Sequence, residues 1–260
     1  MFGISKDPDT AADGTLLPGT AAALTTALPK VCLWTTTTTS TSMRSSSFRA
    51  LSDAALVPGP CPEVHVSLTS TCDALTELPA GGGHDATTGV LVMCTPNALG
   101  RLGSQERSVM AKVSPDVQQA LRGVPTPLPR DAVVVVENVH LEGRLVHLLV
   151  AAALEDGFIS PKDPEVGAYF LRKVHGLFSA AAAHKCTCLV LGAWGCGAAK
   201  FPAALVAETF RDVLQVSGAA FDKVIFAVPP SGVGHLFRQV CTVQKARGVV
   251  DAVSDDTTTS

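Results

Sequence analysis

Aromatic residues make up only 5 % of this 260-residue chain although hydrophobic residues reach 47 %, so its core must be built from Val, Leu and Ala. No long run of Lys or Arg occurs and the formal charge is -3. That argues against nucleic-acid binding through a broad basic face, while leaving room for one small anion pocket. No apolar run is long and uniform enough for a membrane span. The opening residues MFGISKDPDT lack the basic stretch followed by an apolar one that marks a secretory leader. An intracellular, reducing compartment is therefore expected.

The eight cysteines do not form a disulfide pattern. Cys94, Cys186, Cys188 and Cys196 sit in or beside apolar runs, where a free thiol packs as a small hydrophobe. Cys186 and Cys188 would share one face of a strand, yet no second close-set pair answers them. His140, His147, His175, His184 and His235 lack metal-ligand spacing, and none stands out as a general base. Neither a metal nor a cofactor is expected.

Texture divides the chain into three regions. Residues 1–60 read as a low-complexity, largely disordered leader with a short helix in AAALTTAL; TTTTTSTSMRSSS, 35–47, cannot bury enough surface to offset ordering. VCLW, 31–34, is either a stray edge strand or a segment docked on the body. The body runs over 61–242, and 243–260 reads as a flexible tail.

Within the body, strands are expected at 64–68, 90–94, 131–140, the first half of 144–154, 186–192 and 221–228. Helices are expected after a cap at Ser70 or Thr71, over 105–113 entered from Ser104, over 165–183, and over 203–214 led by Pro202. PPSGVG closes the last strand. Wholly apolar strands alternating with helices imply a sheet covered on both faces. Glu142-Gly143 permits only a short turn between two strands, so part of the sheet is antiparallel. The expected fold class is a three-layer α/β/α arrangement with a mixed sheet.

Ligands of such folds gather at the carboxyl ends of the strands. Two loops leave such ends. In the first, Gly192, Ala193, Trp194, Gly195, Cys196 and Gly197, the glycines let the backbone approach a ligand and the N–H groups can cradle a diphosphate. The alternative is a tight turn plugged by Trp194. Lys200 either adds positive charge or faces solvent. The second loop, 95–104, carries Asn97, able to bond a ribose hydroxyl, and Gly100, and runs into Gln105, Glu106 and Arg107. Glu106 at a helix start would be held ionised by the helix dipole. It is either a site carboxylate or a favourable first-turn residue. Arg107 either meets phosphate or is solvated. Gly81-Gly82-Gly83-His84-Asp85 reads as a surface connection. A triad of Ser104, His147 and Asp222 lacks the nucleophile elbow that would support it.

VLVMC with its following loop, the Gln105-Glu106 pair, LVLGAWGCG at 189–197, the helix AALVAETFRDVL and the strand FDKVIFAV together resemble the microbial-type poly(ADP-ribose) glycohydrolases, a branch of the macrodomains. The resemblance covers roughly 60–230. It implies a macrodomain fold and an ADP-ribose group, free or on a modified protein, as ligand. It implies a diphosphate wrapped by Gly192–Gly197 and a distal ribose beside Asn97. Gly100, Gln105 and Arg107 fall within the motif as further ligand contacts. No direct nucleic-acid partner and no membrane are implied, and a monomer is expected.

The chain departs from the family pattern where chemistry is concentrated. Ala98-Leu99-Gly100 replaces three glycines, and Gln105-Glu106-Arg107 replaces Gln-Glu-Glu. Arg107 thus occupies the place of the family's catalytic carboxylate, and a guanidinium cannot serve as a general acid. Three functions follow as expectations: an ADP-ribose-binding macrodomain with weak or absent hydrolysis; an active ADP-ribosyl glycohydrolase using Glu106 as its catalytic carboxylate; or a non-enzymatic interaction scaffold.

Overall fold

The computed structural model describes residues 29–35, 62–78, 87–94, 102–124, 126–128, 132–152, 165–197 and 200–242. Most of the expected leader, the expected tail, the 81–85 connection and the loop carrying Asn97 and Gly100 lie outside these residues.

The elements in chain order are β1 (Val31–Thr35), β2 (Glu63–Ser67), α1 (Thr71–Thr76), β3 (Thr87–Cys94), α2 (Ser104–Lys112), α3 (Pro115–Arg122), β4 (Ala132–Leu141), β5 (Arg144–Ala152), α4 (Val166–Ala183), β6 (Cys186–Leu191), α5 (Ala203–Ser217), β7 (Lys223–Ala227) and α6 (Gly232–Thr242). The strands form one seven-stranded sheet in the order β1-β4-β5-β3-β6-β7-β2. β5, β3, β6, β7 and β2 pair in parallel, and β4 runs antiparallel to both β5 and β1. Six of the seven strands therefore point the same way, and their carboxyl ends share one edge.

The apolar strands are continuous because both faces of the sheet are covered. In β4, Val133 and Val135 pack into one core while Val134 and Val136 pack into the other. β5 repeats this alternation, with Leu149 and Ala151 on the first face and Leu148 and Val150 on the second. The first core includes Phe170, Leu177 and Phe178 of α4, Phe210 of α5 and Phe237 of α6. The second includes Leu75 of α1, Val109 of α2 and Leu121 of α3. The few aromatics are concentrated on the first face. Phe170, Phe210, Phe226 and Phe237 form a chain of ring contacts with centroids 5.3–6.1 Å apart.

Several expectations change in detail. VCLW is an edge strand paired with β4. β4 and β5 meet through a two-residue turn at Glu142 (φ 50°) and Gly143 (φ 71°), which makes the expected antiparallel pair. β5 continues through its alanines to Ala152, because that small-residue end still pairs with β3. Ser70 caps α1 by accepting from the Asp73 N–H at 3.2 Å. Ser104 does not cap α2: it is the first helical residue, and Gly103 holds the cap position without a side-chain hydrogen bond. Pro202 stands at the cap of α5 with φ -59° and ψ 119°, outside the first turn. PPSGVG does not merely close the last strand. It leads into α6, whose start is braced by Ser231 Oγ accepting from the Gly234 N–H at 3.3 Å. α3 was not anticipated, although Ser114 caps it and Pro115 opens it.

Candidate functional site

β3 and β6 are neighbours in the sheet and parallel, so their carboxyl ends lie on one edge. In chain order β3 leads to α2, and β6 leads to the Gly192–Gly197 loop and α5. That shared edge is the candidate site. Of the residues expected there, Asn97 and Gly100 lie outside the described residues. The others can be placed.

The Gly192–Gly197 loop is a compact, internally bonded turn. The Trp194 N–H donates to Gly192 O at 2.9 Å, and the Cys196 N–H donates to Ala193 O at 3.1 Å. The loop then closes through Lys200 N–H to Gly197 O and Phe201 N–H to Gly195 O, each at 3.0 Å. Gly195 has φ +83°, a conformation that disfavours any side chain, and a Cβ there would sit 2.6 Å from Phe201 Cδ2. Gly197 differs: a Cβ there meets nothing within 4 Å among the described residues. The N–H groups of Ala193 and Gly197 take no partner among the described residues. Trp194 points inward, 2 % exposed, with its ring centroid 5.4 Å from that of Phe170. Its indole anchors the loop to the core, so contact with a ligand falls to its backbone. Burial pushes the Cys196 thiol up to about 12, which leaves it a neutral thiol at physiological pH. Lys200 is exposed, with φ +55°.

The start of α2 is tied to the start of α1. Gln105 Oε1 accepts from both the N–H and the hydroxyl of Thr71, each at 3.1 Å. Thr71 is buried, so this amide oxygen satisfies donors that have no access to water. Gln105 thereby holds the two helix starts in register at the sheet edge. Glu106 is half-buried, and its carboxylate folds back over its own helix start: Oε2 lies 2.3 Å from where a Cβ on Gly103 would be. A side chain at 103 would require the Glu106 carboxylate to swing aside. Burial raises the Glu106 pKa above the usual carboxylate range, and a hydrogen bond from its own N–H offsets this only in part. Desolvation thus opposes the helix dipole that is expected to favour the ionised form of Glu106. Arg107 is exposed on the helix surface.

Sequence reasoning missed Lys173. It lies in the apolar stripe of α4 between Phe170 and Val174 and is only 3 % exposed. Its ammonium donates to Ala152 O at the carboxyl end of β5, at 2.5 Å, and lies 5.6 Å from the ring of Tyr169 and 6.0 Å from that of Trp194. A lysine interrupting a helical apolar stripe was the available signal. The paper triad is not assembled. Ser104 opens α2 at the carboxyl edge, while Asp222 precedes β7 at the opposite edge, its N–H bonded to Thr187 O at 2.7 Å.

The architecture and the edge at which these loops meet are those of a macrodomain-like three-layer fold. No protein-family model and no curated protein matches the chain. Solved structures do match. A point mutant of the poly(ADP-ribose) glycohydrolase of Deinococcus radiodurans, in complex with ADP-ribose, is 21 % identical; the match covers 82 % of this chain and 95 % of that one, with a TM-score of 0.60. The poly(ADP-ribose) glycohydrolase of Thermomonospora curvata is 24 % identical over 80 % of this chain and 85 % of its own, with a TM-score of 0.61. The same enzyme bound to the inhibitor ADP-HPD matches at 23 % identity and a TM-score of 0.57. The likeness establishes the fold. Among the described residues, no helix is long and apolar enough to cross a membrane.

Proposed function

We propose that this chain binds ADP-ribose, free or attached to a protein, at the carboxyl edge of β3 and β6, with hydrolysis weak or absent. The observation that carries this reading is the emergence of the Gly192–Gly197 turn and the Glu106 helix start from adjacent parallel strands, on the fold shared with structures that hold ADP-ribose. Backbone N–H groups of Ala193 and Gly197 supply diphosphate donors. The resemblance to the microbial-type glycohydrolases assigns Asn97 to the distal ribose and Gly100, Gln105 and Arg107 to further ligand contacts. Arg107 stands where that motif has a catalytic carboxylate, which removes the principal proton donor.

A second reading has one observation in its favour. Glu106 is half-buried, and burial raises its pKa, the direction that favours a carboxyl group acting as a proton donor. In that reading Glu106 protonates the departing oxygen and then directs water to the anomeric carbon.

Calorimetric titration with ADP-ribose, beside Gly197→Glu, tests the binding reading. Gly197 is the suitable position because its Cα faces open space, so a carboxylate there opposes the diphosphate without disturbing the fold. Saturable binding lost in the variant supports the reading; no binding by the folded wild type overturns it. Turnover of an ADP-ribosylated protein, abolished in Glu106→Gln with binding retained, would establish the second reading.

A further inference from the structure

Cys32 lies more than a hundred residues before Glu137, and Glu137 lies 47 before His184, yet the three meet. The Cys32 Sγ, a Glu137 carboxylate oxygen and a His184 ring nitrogen all lie within 4.8 Å of one another. Cys32 comes from edge strand β1, Glu137 from β4, and His184 from the position that ends α4. All three are half-buried. They lie toward the amino end of the parallel strands: His184 precedes β6, whereas the Gly192–Gly197 loop follows it. The strand separates the two regions by roughly 25 Å.

The backbone holds each residue in place. The Glu137 N–H donates to Lys30 O at 2.9 Å, at the end of the β1–β4 ladder. A register shift between Val136 and Val139, with Asn138 at φ 60°, follows directly. The His184 N–H donates to Ala180 O at 3.1 Å. His184 Nδ1 and Glu137 Oε1 are 2.6 Å apart, so two members are already in contact.

We infer that Cys32, Glu137 and His184 form a binding site for a zinc ion or a divalent cation of similar softness. One thiolate, one imidazole and one carboxylate are a donor set suited to zinc, and too nitrogen- and sulfur-rich for magnesium or calcium. Tetrahedral zinc keeps its ligand atoms about 3.6 Å apart, given bond lengths near 2.0–2.3 Å. From a spread of at most 4.8 Å the Cys32 sulfur draws in, while the 2.6 Å contact between His184 Nδ1 and Glu137 Oε1 opens by about an ångström; both are side-chain rotations. Binding displaces the thiol proton and moves the His184 ring proton to Nε2. The fourth position falls to water.

Three neighbours bear on the site. The His147 ring centroid lies 6.3 Å from that of His184, and its Nδ1 accepts from the Asn138 N–H at 3.3 Å. Lys30 Nζ lies 3.6 Å from Glu137 Oε2, but its side chain is largely exposed and free to swing into solvent when the metal enters. Trp34, two residues beyond Cys32 on the same strand face, places its ring centroid 6.5 Å from that of His184. Its buried indole N–H has no partner among the described residues. A metal-bound water is the kind of acceptor it lacks. A metal here would staple edge strand β1 to β4 and α4.

The test is titration of the full chain, stripped of metal, with Zn²⁺ and separately with Co²⁺. One equivalent of Zn²⁺ is expected to bind saturably and raise the melting temperature. The Co²⁺ adduct is expected to show a thiolate-to-cobalt band in the near ultraviolet with intense tetrahedral visible absorption. Cys32→Ser abolishes the thiolate band, and His184→Gln weakens Zn²⁺ binding by roughly tenfold or more, since even outer-shell changes cost that much. Cys72→Ser, a thiol in the opposite core, changes neither. Circular dichroism shows whether each variant is folded. Absence of saturable Zn²⁺ binding by the wild type overturns the inference. So does a thiolate band that survives in Cys32→Ser, which would place the metal on another cysteine.

Discussion

The ring of Phe201 occupies the space in which a side chain on Gly195 would begin, with Cδ2 only 2.6 Å from an added Cβ. Phe201 is itself in the first core and its N–H bonds back to Gly195 O at 3.0 Å. The glycine and the phenylalanine together define the turn between β6 and α5. The three glycines of this loop consequently differ in role, although they look equivalent in the sequence.

Gly195→Ala is therefore expected to destabilise the fold by about 2–4 kcal/mol, combining a left-handed backbone with a steric conflict against a core ring. Gly197→Ala is expected to change stability by less than about 0.5 kcal/mol. Urea unfolding of both variants checks this. Equal stability of the two would show that Phe201 yields readily.

Gln105→Ala removes the acceptor for both donors of buried Thr71. A loss of about 2–3 kcal/mol is expected, because an unpaired buried N–H and hydroxyl remain. Thr71→Val leaves only the N–H interaction and should cost less. A double-mutant cycle in urea measures the coupling; additive effects would mean that the pair acts independently.

Glu106 has a folded-state pKa above its unfolded value, so the folded state binds the proton more tightly. Its contribution to stability is fully present below the unfolded pKa and is lost as pH rises through the folded pKa. Glu106→Gln should thus gain stability relative to wild type between pH 4 and pH 7. Unfolding free energies of both proteins at the two pH values check the sign. A relative gain for wild type on going to pH 7 would mean that the carboxylate is stabilised, not desolvated.

Lys173→Ala is expected to cost about 2–5 kcal/mol, through the cavity left beside Tyr169 and Trp194 and the loss of the donor to Ala152 O. Lys173→Met preserves volume and should cost less. Thermal melts of the two separate packing from hydrogen bonding; equal losses would assign the whole effect to the ammonium.

If the missing carboxylate at 107 limits hydrolysis, Arg107→Glu should raise turnover of an ADP-ribosylated protein by about 100-fold or more, the usual scale of general acid–base assistance. Single-turnover release of ADP-ribose measures it. No gain, with ADP-ribose binding intact, would place the defect elsewhere in the loop.

The layered fold was legible because its cause is local. Val133 to Val136 are apolar without interruption, and alternate side chains enter opposite cores, which only a doubly covered sheet permits. The Glu142-Gly143 turn announced the antiparallel pair. α3 and α6 were not legible because each opens among Pro, Gly and Ser residues that equally suit a loop. At the candidate site, the glycine loop and the Gln105-Glu106 pair were visible as residue types. Their division of labour was not, since the Thr71–Gln105 tie spans 34 positions and depends on how two helices dock.

The sequence by itself determined the period-two and helical apolar patterns, and with them a sheet between two helical layers and an edge where two loops leave strand ends. Only the tertiary structure decided which polar groups meet. Strand order set β3 beside β6, the β1–β4 register brought Cys32 to Glu137, and the end of α4 delivered His184 to both. The physical reason is one of range: burial patterning acts over a few residues, whereas side-chain chemistry acts over a few ångströms between segments whose separation along the chain carries no trace of their contact.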